Sequence, residues 1–146
     1  MKGDRYLLLK VFIVGIWTLI SSCSENNLNQ CQQIFRIARE IDSSSENIAR
    51  TKDETNLKSW LEAAKMMEMA ADKIQALHIN NSELIKHQNQ LATIYRIYAR
   101  STYNAVRARE NKNIEALKSA RIDARQAGKM HQESIEALNN YCLRQR

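Results

Sequence analysis

Residues 80–113 read NNSELIKHQNQLATIYRIYARSTYNAVRARENKN and decide how the rest of the chain folds. A stripe of mostly apolar side chains recurs there at three- and four-residue steps, the spacing of one face of an α-helix. The stripe consists of Leu84, Gln88, Leu91, Tyr95, Tyr98, Thr102 and Ala105. Asn80-Asn81-Ser82 provides capping side chains before it, and Asn111-Lys112-Asn113 predicts a tight turn after it. The stretch therefore predicts one long helix bounded by two short connections.

The same spacing predicts three further helices around this one. Their stripes are Leu28, Cys31, Phe35, Ala38, Ile41, Ser45 and Ile48 for the first; Leu57, Trp60, Leu61, Ala64, Met67, Ala71, Ile74 and Leu77 for the second; and Leu117, Ala120, Ala124, His131, Ile135, Leu138 and Cys142 for the last. Residues 50–54 contain no apolar side chain and predict the first turn. Residues 23–146 contain no proline and a single glycine, which favours long helices. We predict an all-α fold, an antiparallel up-down-up-down four-helix bundle after an N-terminal signal segment.

Residues 1–23 have the three-part pattern of an export signal. Lys2, Arg5 and Lys10 form a basic start, an apolar run of ten residues follows at 11–20, and Ile20-Ser21-Ser22-Cys23 closes the run. A run of this length is too short to cross a hydrocarbon core, which needs about 20 apolar residues. The pattern resembles the lipobox of bacterial prolipoproteins.

The resemblance to prolipoproteins implies that a signal peptide of residues 1–22 is removed. It also implies that Cys23 carries a thioether-linked diacylglyceryl group, usually with an N-acyl chain. The protein is then anchored through Cys23 to membrane lipid on the periplasmic side of a bacterial envelope, with the inner and the outer membrane both open. A short tether at residues 23–27 would join this anchor to a bundle domain at residues 28–146. The alternatives are an uncleaved N-terminal anchor helix, which would bury Lys10, and a cleaved peptide without lipid.

The remaining cysteines test the number of helices. With Cys23 occupied by lipid, Cys31 and Cys142 are left in an oxidising compartment, where thiols pair. An even number of antiparallel helices brings the start of the first helix and the end of the last to the same end of the bundle. Three helices would leave the two cysteines a helix length apart, beyond the reach of a disulfide. We predict a structural disulfide between them; the alternative is two buried free thiols.

A second resemblance covers roughly residues 31–142. Its motifs are a first-helix cysteine, Cys31, the MEMAA segment at 67–71, Gln88 ahead of Tyr95-Arg96, and the closing Asn139-Asn140-Tyr141-Cys142. The chain is similar to small cyanobacterial exported proteins of unknown function, which share a helical domain bracketed by two cysteines. Where that pattern leads us to expect an acidic residue in the last helix, this chain has His131. The resemblance implies the fold and no catalytic site.

The sequence contains no residue pattern typical of a catalytic or metal centre. Its three histidines are His78, His87 and His131, and none belongs to the Glu-Xaa-Xaa-His pairs that helical-bundle metal sites take from two helices. A nucleophile–base arrangement, a glycine-rich phosphate loop and paired inward carboxylates are also missing from the sequence. We therefore expect no enzymatic activity, no metal and no cofactor.

The charge pattern points to a basic surface in the second half of the chain. Residues 23–79 carry a net charge of −2, whereas residues 80–146 carry +6. Two adjacent basic ridges are expected, formed by Arg96, Arg100, Tyr103 and Arg107 on the third helix and by Lys118, Arg121, Arg125 and Lys129 on the fourth. They suit an acidic envelope protein or anionic lipid headgroups, and the alternative is a merely solvated cationic face. Nucleic acid is not expected, because the signal directs the chain out of the cytoplasm.

Two functions of different kinds follow from the sequence. The first is a membrane-anchored extracytoplasmic lipoprotein that serves as a non-enzymatic structural or protein-interaction module of the cell envelope. The second is a small-ligand-binding bundle, motivated by Gln88, Tyr95, Tyr98 and His131 on core stripes, where buried polar atoms need partners. An internal cavity of about 300 Å³ or more lined by these four residues would favour the second function.

Overall fold

The computed structural model describes residues 26–41, 43 and 57–145, and this part of the chain forms four α-helices without a strand. Helix α1 includes residues 26–41 and 43, α2 covers Leu57–Gln75, α3 covers Ser82–Glu110 and α4 covers Ile114–Leu143. The predicted all-α bundle is confirmed. Residues 26 and 27, predicted to belong to the tether, are already helical. The predicted signal and Cys23 lie outside the described residues.

Helices α2 and α3 run antiparallel. Near one end of the pair, the Gln75 side-chain amide donates a hydrogen bond of 2.8 Å to Asn89. Further along, the Tyr103 hydroxyl donates to the Glu68 carboxylate at 3.0 Å. The residue numbers of α2 therefore fall while those of α3 rise.

Helices α3 and α4 are antiparallel in the same way. The His87 and Tyr141 rings lie 5.9 Å apart near one end of the pair. The Tyr95 and His131 rings, closer to its middle, lie 5.5 Å apart. Helices α2, α3 and α4 therefore alternate in direction, as an up-down-up-down bundle requires.

A disulfide between Cys31 and Cys142 joins α1 to α4. The Cα atoms of the two cysteines are 6.1 Å apart, and 111 residues separate them in sequence. Next to the bond, the Asn27 side-chain amide donates to the Gln145 side-chain oxygen at 3.3 Å. The predicted pairing is confirmed, and with it the even number of helices, because only an even number returns α4 to the end where α1 starts.

The core is built from aliphatic side chains and one tyrosine. Its largest fully buried members include Ile34, Ile74, Leu84, Leu91, Ile94, Tyr95 and Leu138. On α1 the buried face differs from the predicted stripe, since Ile34 and Ile37 are buried whereas Leu28 and Phe35 are only half-buried. The reason is that Leu28 and Phe35 line an open groove between α1 and α4. The stripe had the right spacing but missed these two isoleucines.

Side chains of α1, of α3 and of the connection itself hold the link between α2 and α3. The amide nitrogen of Gln88, a residue only 5% exposed, donates to the carbonyl oxygens of Ile74 at 2.7 Å and Leu77 at 2.9 Å. These bonds add a donor where the end of α2 offers few backbone N–H groups, and Ile74 also accepts from the backbone N–H of Leu77 at 3.2 Å. Asn81 caps α3 by accepting from two backbone N–H groups, as the sequence predicts. The Gln30 side chain on α1 accepts from the backbone N–H of Asn80 at 3.0 Å.

The turn between α3 and α4 lies at residues 111–113, as predicted. Asn113 caps α4 by accepting from the backbone N–H of Ala116 at 3.0 Å. Lys112 adopts a left-handed backbone conformation with φ of 54°, which lets the chain reverse within three residues.

Removing the disulfide with Cys31→Ala and Cys142→Ala is expected to lower the free energy of unfolding by about 4–5 kcal/mol, because the bond closes a very long loop in the unfolded chain. Urea unfolding followed by circular dichroism measures the change. As a control, dithiothreitol should destabilise the parent protein by a similar amount and leave the double variant unaffected. Equal unfolding free energies for the parent and the double variant would contradict the stabilising role of the bond.

Replacing Gln88 with Leu is expected to cost about 1–3 kcal/mol of unfolding free energy, since it removes the side-chain donor that the carbonyl oxygens of Ile74 and Leu77 share. The matched control is Asn89→Ala at the next position in the chain. It removes the exposed hydrogen bond that Asn89 accepts from Gln75. Thermal or urea unfolding compares the two variants. If Gln88→Leu costs no more than Asn89→Ala, the hydrogen bonds of Gln88 do not stabilise the connection.

Candidate functional site

The predicted ridge on α3 lies against acidic side chains of α2. Arg96 forms an ion pair of 3.3 Å with Asp72. The Tyr103 hydroxyl donates to Glu68, and desolvation together with this hydrogen bond raises the pKa of Tyr103. Half of the ridge is therefore engaged in holding α2 and α3 together.

The two other residues of this ridge, Arg100 and Arg107, line a shallow cleft of about 550 Å³ between α2 and α3. Glu68 and Glu110 line the same cleft. Its charge is consequently mixed, and an anionic partner entering it would meet carboxylates as well as guanidinium groups.

The ridge on α4 is open to solvent. Lys118, Arg121, Arg125 and Lys129 are all exposed. Lys118 pairs with Glu115 at 2.9 Å and Lys129 with Glu133 at 3.9 Å, both within one helical turn of α4. Within the part of the chain that the structure describes, Arg121 and Arg125 form no ion pair. Such exposed pairs are worth little, typically about 0–1 kcal/mol, so this ridge keeps its cationic character.

The two ridges point in different directions. The side of α4 that faces α3 carries Ser119 and Asp123, which line a groove with Asn104 and Arg107. At about 100° per residue, the α4 ridge lies roughly on the opposite side of its helix from Asp123. The prediction that the two ridges are adjacent is therefore wrong, because the α4 ridge faces away from α3.

Three exposed apolar residues on α4 were missed by the sequence reasoning. Ile114 is 67% exposed, Ile122 is 62% exposed and Leu143 is 49% exposed. Ile114 and Ile122 lie four residues on either side of Lys118, which places all three on one face of α4. The sequence does contain a signal for this apolar face: Ile114 and Ile122 have helical spacing with Lys118, and neither belongs to the predicted core stripe of α4.

The polar groups predicted to line an internal cavity are bonded within the protein. The Tyr95 hydroxyl forms a hydrogen bond of 3.2 Å with Nε2 of His131, and Gln88 binds the end of α2. The hydroxyl of Tyr98 lies against Gly128, where an added Cβ would approach it to 3.1 Å. Tyr95, Tyr98 and Gln88 therefore serve the packing between helices.

A groove of about 810 Å³ runs between α1 and α4 beside the disulfide. Its apolar wall includes Leu28, Phe35, Ile135 and Leu143, and its polar rim includes His131. Of the four residues predicted to line a ligand cavity, His131 alone lines this groove. The groove opens on the surface of the bundle.

His87 lies half-buried at the disulfide end of the bundle. Its Nδ1 atom is buried and has no hydrogen-bond partner among the described residues. Desolvation lowers the pKa of His87, and the nearby Glu83 carboxylate opposes part of that shift. Elsewhere in the described chain, no three His, Cys, Asp or Glu side chains gather closely enough to hold a metal ion.

Comparison with known proteins yields no match to a protein-family model, to a curated protein or to a solved structure. Among the described helices, none has both the length and the hydropathy needed to cross a membrane.

The stability of the protein is expected to fall as the pH drops below about 6.5, the ordinary pKa of histidine, because folding lowers the pKa of His87. Between its lowered value and 6.5 the unfolded chain binds more protons, so acid favours unfolding. His87→Gln should flatten this part of the curve of unfolding free energy against pH, measured in urea from pH 7.5 to 5. His78→Gln, at an exposed position in the connection, is the control and should keep the slope. An unchanged slope in His87→Gln would contradict the assignment.

Proposed function

We propose that the protein is a bacterial lipoprotein, exported by residues 1–22 and held at a membrane through lipid on Cys23. The observation that carries the proposal is the disulfide between Cys31 and Cys142, which agrees with the oxidising compartment to which a lipobox directs a chain. The lipobox pattern and the disulfide are independent features, and both favour an extracytoplasmic address.

The short distance in sequence between Cys23 and α1 supports a location close to the bilayer. From Cys23 to residue 26, where the chain is helical, three residue steps reach at most about 11 Å. The disulfide brings the start of α1 beside the end of α4. In this proposal the disulfide end of the bundle lies beside the membrane.

The bundle itself acts as a non-enzymatic interaction module of the cell envelope. What supports this role is the open α4 ridge, whose cations are exposed and only weakly paired. An acidic envelope protein or a layer of anionic headgroups is the partner that such a surface fits. The α3 ridge is a weaker candidate because Glu68 and Asp72 already occupy Tyr103 and Arg96.

A small-ligand-binding role is the second candidate, and the groove beside the disulfide is the observation that favours it. Its size lies in the range of small-molecule sites, and its wall is largely apolar. An environment-sensitive dye such as ANS tests this role directly. Saturable binding that Phe35→Glu abolishes, without loss of helical content by circular dichroism, would support it; absence of binding would refute it.

The anchor is tested by mass spectrometry of the protein purified from bacterial membranes. After reduction, the N-terminal tryptic peptide is expected to cover residues 23–36 and to carry a diacylglyceryl group on Cys23, usually with an N-acyl chain. Cys23→Ala should abolish the modification and shift the protein out of the processed, membrane-bound form. A peptide that begins at Met1, or an unmodified Cys23, would contradict the lipoprotein proposal; the former would favour an uncleaved anchor helix.

A further inference from the structure

One face of α4 combines exposed cations with exposed isoleucines. We name it the α4 outer face and define it by six residues: Ile114, Lys118, Arg121, Ile122, Arg125 and Lys129. At about 100° per residue, the six fall within an arc of about 100°. The solvent-exposed side of the first half of α4 therefore carries both basic and apolar side chains.

The exposure of this face is not explained by the bundle. Ala120 and Ala127, on the other side of α4, are buried and pack into the core. Ile114 and Ile122 are instead the two most exposed large apolar side chains of the described chain. Because exposed isoleucine is costly in water, a second surface that covers both would be favoured by the hydrophobic effect.

The chemistry of that second surface follows from the cations between the isoleucines. Glu115 pairs with Lys118 and Glu133 with Lys129, the first and the last cation of the face. Arg121 and Arg125, at its centre, make no ion pair with the described residues. A surface that offers phosphate groups next to hydrocarbon satisfies both requirements, and the headgroup layer of an anionic bilayer has this composition. Long lysine and arginine side chains also reach phosphates while their stems stay in apolar surroundings.

The far end of α4 gives the orientation. Leu143, half exposed, lies on the same side of α4 as the α4 outer face and lines the groove beside the disulfide. From Ile114 to Leu143 the helix extends about 44 Å. An anchor at the disulfide end and a lipid contact at the other end can meet one flat bilayer only if the helix lies along it.

We propose that the bundle lies on its side, with the α4 outer face against anionic lipid headgroups and Ile114 and Ile122 at the boundary with the acyl chains. This inference rests on the proposed lipid anchor and adds to it a second contact and an orientation. The α3 ridge, on the side of the bundle towards α2, then faces away from the membrane.

The test uses the protein purified from bacterial membranes and reconstituted into vesicles of phosphatidylcholine alone or mixed with phosphatidylglycerol. Ile122→Trp, in a background where Trp17 and Trp60 are phenylalanine, places a fluorophore on the α4 outer face. Thr93→Trp in the same background is the matched control on the exposed side of α3. Brominated lipids should quench the fluorophore at position 122 several times more strongly than that at position 93, and only when phosphatidylglycerol is present.

Charge reversal separates lipid recognition from an orientation imposed by the anchor. Arg121→Glu with Arg125→Glu should reduce the quenching at position 122 to the level of position 93, because headgroup attraction scales with each cation. Lys86→Glu, an exposed reversal on α3, should leave it unchanged. Circular dichroism checks that every variant keeps its helical content.

Three results would overturn the proposal. One is equal quenching at positions 122 and 93 in vesicles with phosphatidylglycerol, and another is quenching that survives the double charge reversal. The third is an unquenched position 122 together with an acidic envelope protein whose copurification depends on Arg121 and Arg125, which would make this face a protein-docking surface. The mass of Cys23 in the same sample reports the anchor separately, and the quenching decides the position of α4 whichever mass is found.

Discussion

The covalent bond between Cys31 and Cys142 is the constraint on which the rest of the structure depends. It joins the first described helix to the last and closes nearly the whole bundle into one loop. The bond holds the start of α1 against the end of α4. Polar contacts that would be weak alone, such as the hydrogen bond between Asn27 and Gln145, therefore form beside it. It also brings the start of α1 beside the end of α4.

Two kinds of charged surface result from this arrangement. Between α2 and α3, basic and acidic side chains pair across the helices, and the contacts of Arg96 with Asp72 and of Tyr103 with Glu68 help to set the register. On α4 the cations pair only within their own helix or not at all among the described residues. Basic side chains therefore have different roles on α3 and on α4, and the outward side of α4 is the one available to a partner.

Much of the fold could be predicted because its signals are local. Asn81 and the turn at 111–113 mark helix ends by their own hydrogen-bonding chemistry. The pairing of Cys31 with Cys142 could be predicted because an even number of antiparallel helices brings both cysteines to the same end of the bundle. The sequence could not predict that Ile34 is buried while Phe35 lines a groove, since that depends on how α1 tilts against α4. It also missed the exposed Ile122, because a stripe analysis searches for the core and assigns the remaining side to solvent. Which neighbouring helix a ridge contacts depends on how each helix is rotated about its own axis. The spacing of residues in the sequence does not determine this rotation.

The chain folds as a disulfide-closed bundle, and the export that we propose would place this bundle in an oxidising compartment. The most direct measurement is peptide mapping without reductant, on protein whose free thiols are alkylated in intact cells before lysis. The account predicts that the tryptic peptide ending at Arg36 is joined to the one ending at Arg144 through Cys31 and Cys142. Separate peptides with both of these cysteines alkylated would contradict it.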